Sequence, residues 1–267
     1  MELYTLYEPQ AETLPILISI PHAGTYIPPH IQPSFKQHLL PPDDTDWFVE
    51  KLYDFAPAMG ITVIKANYSR WLIDLNRNPE SKPLYTDGRI ITALCTTTTF
   101  LGQPIYANER AEVLPEEVQE RIQLYFDPYH QKIQSLLDDL KARFGQVLLW
   151  DAHSIRKNVP SIYPQDFPDL ILGDADETSA SGQLINTAVE HLTAANYSFH
   201  HNQPFKGGFI TRHFGQPDKH QHALQLEMTK PNYLNDAETD YDDLRASNMQ
   251  QLLKKTLSAL AQQLLFK

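Results

Sequence analysis

At 267 residues, with 42% hydrophobic and 10% aromatic content, the chain is long enough to bury a sizeable core and too apolar for a disordered segment. A net charge of −11 argues against nucleic acid or an anionic membrane as partner, and any anionic ligand needs a locally basic pocket. The single cysteine, Cys95, excludes an intrachain disulfide and the cysteine-rich zinc sites.

Residues 1–13 carry no basic stretch leading into an apolar one, and no apolar run approaches the roughly 20 residues of a membrane span. A soluble, cytoplasmic protein is expected. The run 14–20 (LPILISI) reads as a buried strand, and a helix is expected from Thr45 as N-cap, carrying Trp47, Phe48, Leu52 and Phe55 inward. Strands are expected at 61–66 and 70–75. From Pro115, apolar residues recur every three or four positions (Val118, Ile122, Tyr125, Tyr129, Ile133, Leu136, Leu140, Phe144), the signature of a helix of about eight turns. Pro128 predicts a kink in it, and Gly145 its end. Further strands are expected at 146–151, 168–172, 197–202 and 222–228, with helices at 178–194 and 242–265. Stretches 79–83, 158–168 and 215–218 contain proline and read as loops beside the site. Strands alternating with helices predict an α/β sandwich on a largely parallel or mixed sheet, and no linker divides the chain, so residues 1–267 are expected to form one domain.

Chemistry concentrates where these strands end. His22 follows the first apolar run, and His153 follows 147–152 (VLLWDA). In open α/β sheets that edge is where ligands bind. Two imidazoles need one carboxylate to complete a hydrolase-type metal site with an open position. Asp43, Asp44, Asp46 and Glu50 are all candidates, and capping explains most of such a cluster; Asp46 is the preferred ligand. Asp151, two residues before His153, shares its face and fits as the acceptor that orients the ring. Arg77, with Asn76 beside it, suits bidentate capture of a substrate carboxylate, and Arg70 offers a second charge. The segment 206–215, with Lys206, Arg212 and His213, places positive charge in a flexible glycine-bearing stretch and supplies further candidate substrate contacts. Glu227 ends an apolar run and suits a general base for an activated water. Cys95 has no activating histidine nearby and reads as a small core residue. There is no G-x-S-x-G, H-E-x-x-H or P-loop. These residues together point to a metal-dependent hydrolase.

The ordered set Pro21-His22-Ala23-Gly24, Asp46-Trp47, Ser69-Arg70, Asp74-Leu75-Asn76-Arg77, Trp150-Asp151-Ala152-His153-Ser154-Ile155, 206–213 (KGGFITRH) and 224–228 (LQLEM) resembles the N-formylglutamate amidohydrolases across about residues 14–233. The resemblance implies a three-layer, phosphorylase/hydrolase-like sandwich akin to zinc exopeptidases. It further implies metal-dependent hydrolysis of N-formyl-L-glutamate to formate and L-glutamate, as in histidine degradation. His22 and His153 are then zinc ligands, Glu227 the catalytic carboxylate and Arg77 the substrate anchor. The exopeptidase relatives place their acidic ligand three residues after the first histidine, where this chain has Thr25, so the carboxylate comes from elsewhere, and Asp46 fits the deformylase pattern. Asp151 stands where many such deformylases carry the longer Glu. Two other readings stay open: a related zinc-dependent deacylase acting on another N-acyl or N-formyl amino acid, and a non-catalytic metal or amino-acid binding protein.

Overall fold

The structure is a computed structural model that describes residues 1–80, 93–110 and 112–266. Its strands are β1 (Tyr4–Tyr7), β2 (Ile16–Ile20), β3 (Thr62–Ala66), β4 (Val147–Ile155), β5 (Leu170–Gly173), β6 (Phe199–His201) and β7 (Gln221–Thr229). They form one seven-stranded sheet in the order β1-β3-β2-β4-β7-β5-β6. Strands β3, β2, β4 and β7 run parallel, as do β5 and β6, while β1 and β5 pair antiparallel to their inner neighbours. The expected mixed, largely parallel sheet is therefore present. The helices are α1 (Val49–Leu52), α2 (Pro115–Arg121), α3 (Asp127–Phe144), α4 (Gly182–Thr193), α5 (Phe209–Phe214) and α6 (Asp243–Leu265).

Every residue of β2, β4 and β7 is buried, as expected of central strands covered on both faces. Alternation sends Leu148, Trp150, Leu224 and Leu226 to one core with α1, α4 and α6. Leu149, Val147 and Ala223 go to the other, with α3 and α5. Helices thus cover both faces, which makes the three-layer sandwich. Among the described residues, no helix is long and apolar enough to cross a membrane.

Several expected elements differ. Residues 70–75 form turns, not a strand. Trp71, Leu72 and Ile73 are all buried, and periodicity cannot separate such a run from a core strand. Its backbone is satisfied otherwise: Leu72 N–H bonds Ser69, Asp74 N–H bonds the Leu94 carbonyl at 2.7 Å, and the Arg121 guanidinium donates to the Leu72 carbonyl. Thr45 caps nothing, because Phe48 adopts the left-handed conformation and the helix starts only at Val49. Helix α4 begins at Gly182, capped by Ser181, four residues later than expected. The segment expected to be flexible at 206–215 contains α5. Strand β1, a short edge strand with mixed burial, went unpredicted. Residues 81–83 of the expected 79–83 loop lie outside the described residues.

The long helix is broken as Pro128 required. A π-helical turn at Ile122–Phe126 separates α2 from α3, whose first turn accepts the proline. Gly145 ends α3 in the left-handed conformation (φ 83°). At this break His130 donates Nδ1–H to the Phe126 carbonyl (2.8 Å) and stacks on the Phe126 ring. Burial pushes its pKa down to about 4. The unfolded chain binds this proton below about pH 6.5 and the native one only near 4, so the residue removes stability as pH falls through that window. The loss is on the order of 3 kcal/mol. Urea unfolding of wild type and His130→Phe at pH 7 and pH 4.5 should show a smaller acid loss in the variant. Equal losses would remove His130 from the acid response.

Candidate metal centre

Strand order reverses between β2 and β4: the chain leaves β2 toward β3 on one side and later returns to β4 on the other. A crevice opens at the carboxyl ends of strands at such a switch point. His22 lies two residues past β2 and His153 near the end of β4, so the two imidazoles face each other there with ring centroids 4.8 Å apart. Asp46 joins them from the segment before α1, which is fixed by a hydrogen bond from its own N–H to the His22 carbonyl (3.0 Å). Its Oδ2 lies 3.2 Å from His153 Nδ1 and 3.9 Å from His22 Nδ1. The Ser154 N–H also donates to that oxygen (3.2 Å).

Each ring is held from behind. His22 Nε2 bonds Asp74 Oδ1 (2.8 Å), while His153 Nε2 lies 3.0 Å from Asp151 Oδ2 and 2.9 Å from the Asn76 side-chain amide. A carboxylate on Nε2 keeps the proton there and turns the Nδ1 lone pair toward Asp46. Two imidazole nitrogens and one carboxylate oxygen, all buried and within 4.8 Å of one another, fit a divalent cation. The donor chemistry and the carboxylate behind each ring agree with that reading.

The charges are strongly coupled. Burial opposes a charged His153, yet Asp151 and Asp46 hold its pKa well above the ordinary range. Burial and the nearby Arg70 push His22 the other way, toward the neutral ring that coordinates metal. Burial likewise opposes the Asp74 carboxylate, but Arg77, His22 and Arg70 keep its pKa well below normal. Glu227 pairs in register with His153 across β4 and β7, which puts both side chains on one face of the sheet. Burial raises its pKa to about 8, and His153 pulls in the opposite direction. No hydrogen bond engages the Glu227 carboxylate among the described residues.

The other expected residues divide. Asn76 belongs to the frame: its Nδ2 donates to Asp151 (3.0 Å), and its Oδ1 accepts from the Ile210 N–H (2.8 Å) at the start of α5. A Cβ on Gly208 would come within 2.4 Å of that amide, so glycine is required there. Gln225, on the same face as Glu227, accepts from the Gly208 N–H (2.8 Å) and closes this contact. Arg70 is buried and bonds Asp74 (2.7 Å), with Asp46 3.8 Å away. Arg77 is part-exposed and lies 3.9 Å from Asp74. Arg212 donates Nε–H to the Gly207 carbonyl. Lys206 pairs with Asp176, and the exposed His213 stacks on Phe209; neither contact joins the triad. Gly24 packs on the backbone of 66–68, where a Cβ would come within 2.5 Å. Cys95 is free and buried, and burial raises its thiol pKa, which suits the core role.

Asp74 was missed as the support for His22. Between Arg70 and Arg77 it reads as an ordinary ion-pair partner, and the only hint was an aspartate two residues before Asn76, at an apolar strand-like end.

The N-formylglutamate amidohydrolase family model matches residues 14–234. An N-formylglutamate deformylase of Pseudomonas putida is 40% identical over 250 residues, covering 92% of each chain. One from Pseudomonas aeruginosa is 40% identical over 225 residues, covering 84% of this chain and 83% of the other. The crystal structure of N-formylglutamate amidohydrolase from Ralstonia eutropha superposes with a TM-score of 0.81 at 26% identity, covering 99% of both chains.

Proposed function

The chain belongs to the N-formylglutamate amidohydrolase family, and from that premise we propose that it hydrolyses N-formyl-L-glutamate to formate and L-glutamate. The observation that carries the mechanism is the buried His22, Asp46 and His153 set with Glu227 in register beside His153. In this reading the three residues hold zinc, which supplies Lewis acidity that acidifies water and polarises an amide carbonyl.

The chain's own residues do the rest. Glu227 takes the proton of the attacking water and delivers it to the departing amine nitrogen, so C–N cleavage releases a neutral amine. Asp151 and Asp74 keep the two rings in one tautomer. Asn76 and Gln225 lock α5 against that frame, so Asn76 acts by positioning and not by touching substrate. Arg77 binds the α-carboxylate of the substrate, its charge partly balanced by Asp74. Arg212, on α5 beside this frame, is a further candidate contact for the substrate.

Formate release from N-formyl-L-glutamate should be readily measurable with zinc-loaded protein, fall to background after chelation, and return on zinc addition. A folded, zinc-loaded protein that releases no formate but cleaves another N-acyl amino acid would make it a related deacylase. One inert on a whole panel of N-formyl and N-acetyl amino acids would make it a binding protein.

A further inference from the structure

N-formylglutamate carries two carboxylates, and Lys206, a leading candidate for the second, is paired with Asp176. A cavity of about 60 Å³ lies beside the strand end that carries His153. It begins at Ser154, whose N–H donates to the same Asp46 oxygen that faces His153. Phe100, Ile155 and Val159 give it an apolar wall suited to a short methylene chain.

One buried cation lines it. Lys230 directly follows β7, three residues beyond Glu227, and is only 2% exposed. Its ammonium makes one hydrogen bond, to the Asp43 carbonyl at 3.2 Å. An ammonium offers three donors, so a buried one with a single neutral acceptor is under-satisfied. The other charges of the cavity already have partners. Asp43 pairs with Arg156 (2.5 Å), and Asp44 accepts from Trp71 Nε1 and the Phe100 N–H. Lys230 is therefore the charge left to meet an incoming anion.

We propose that Lys230 binds the side-chain carboxylate of the substrate in this cavity and sets the preference for an acidic side chain. The assignment rests on the reading of the substrate given above. Its chemistry follows from desolvation: a substrate carboxylate supplies the charged acceptor that the buried ammonium lacks, whereas an uncharged side chain leaves it unmatched.

The test measures kcat/KM of zinc-loaded wild type, Lys230→Met and Lys230→Arg on three substrates. These are N-formyl-L-glutamate, N-formyl-L-glutamine, and the α-amide of N-formyl-L-glutamate. Losing a buried charge pair typically costs on the order of 100-fold. Lys230→Met should lose roughly 100-fold on N-formyl-L-glutamate, mainly in KM, and little on N-formyl-L-glutamine. Lys230→Arg should recover part of the loss. An equal penalty on all three substrates would reduce Lys230 to a prop for the Asp43 loop and overturn the proposal. A penalty that vanishes only on the α-amide would overturn the side-chain assignment. Calorimetric binding of the product L-glutamate against L-glutamine supplies a second readout, with the preference expected in wild type and lost in Lys230→Met. A wild type inactive on all three substrates would refute the substrate reading itself, and a wild type that also bound L-glutamate no better than L-glutamine would overturn the subsite as well.

Discussion

Glu227→Gln should lower kcat by roughly three orders of magnitude while leaving zinc stoichiometry and fold unchanged, since a positioned general base typically contributes 10²–10⁴-fold. The substitution preserves shape and removes only the ability to take a proton. Glu227 sits on the fully buried β7, opposite His153, and among the described residues no hydrogen bond engages its carboxylate. Burial holds its pKa near 8, and Asp46 adds to that rise, so the group is poised close to neutrality where it can both accept and return a proton. A cation held by the triad adds positive charge nearby and favours the ionised base. Because a neutral amide replaces a buried carboxylate, thermal stability should stay level or rise slightly. Single-turnover formate release, with zinc binding followed by calorimetry, separates the two effects. A variant with near-native kcat would remove Glu227 from proton transfer.

The sequence revealed the strands better than the contacts between them. Runs 14–20 and 61–66 are apolar because both faces of a central strand are covered, and that composition is visible without any partner. The same logic misread 70–75. Its burial is just as complete, but its backbone is satisfied by Arg121 and by Leu94, contacts that no local pattern encodes. His22 and His153 were visible as singular polar residues at the ends of such runs. Asp46 is the preferred one of four carboxylates in the sequence, and its contacts with His22, His153 and Ser154 single it out in the structure. Glu227 is legible as a carboxylate ending an apolar run, but its pairing with His153 is a matter of register across 74 residues of chain. Lys230, in a Lys-Pro-Asn turn, looks from composition like a solvated loop residue, yet it is buried and its ammonium meets the Asp43 carbonyl. Arg212 and His213 cluster in sequence, yet a helix disperses neighbouring side chains around its axis, and Lys206, ahead of that helix, pairs with Asp176.

Asp74→Asn should weaken metal binding about 10- to 100-fold and cost about 3–5 kcal/mol of stability, two effects with separate causes. The carboxylate is buried and meets four groups: His22 Nε2 at 2.8 Å, Arg70 at 2.7 Å, the Asn76 N–H at 2.9 Å and Arg77 at 3.9 Å. An amide can still accept from one of them, but it no longer fixes the proton on His22 Nε2, so Nδ1 loses its assured lone pair. It also strips the buried Arg70 guanidinium of its closest counter-charge, leaving Asp46 at 3.8 Å, the residue whose lone pairs the metal needs. Asp151→Asn is the informative comparison. Asp151 supports His153 in the same way but bonds no arginine, only His153 and the Asn76 amide. It should match Asp74→Asn in lost metal affinity while losing far less stability to urea. Similar stability losses in both variants would mean that the imidazole contacts, and not the arginine pair, hold this edge of the sheet together. Wild-type metal affinity in Asp74→Asn would end the case for Asp74 as the support of His22.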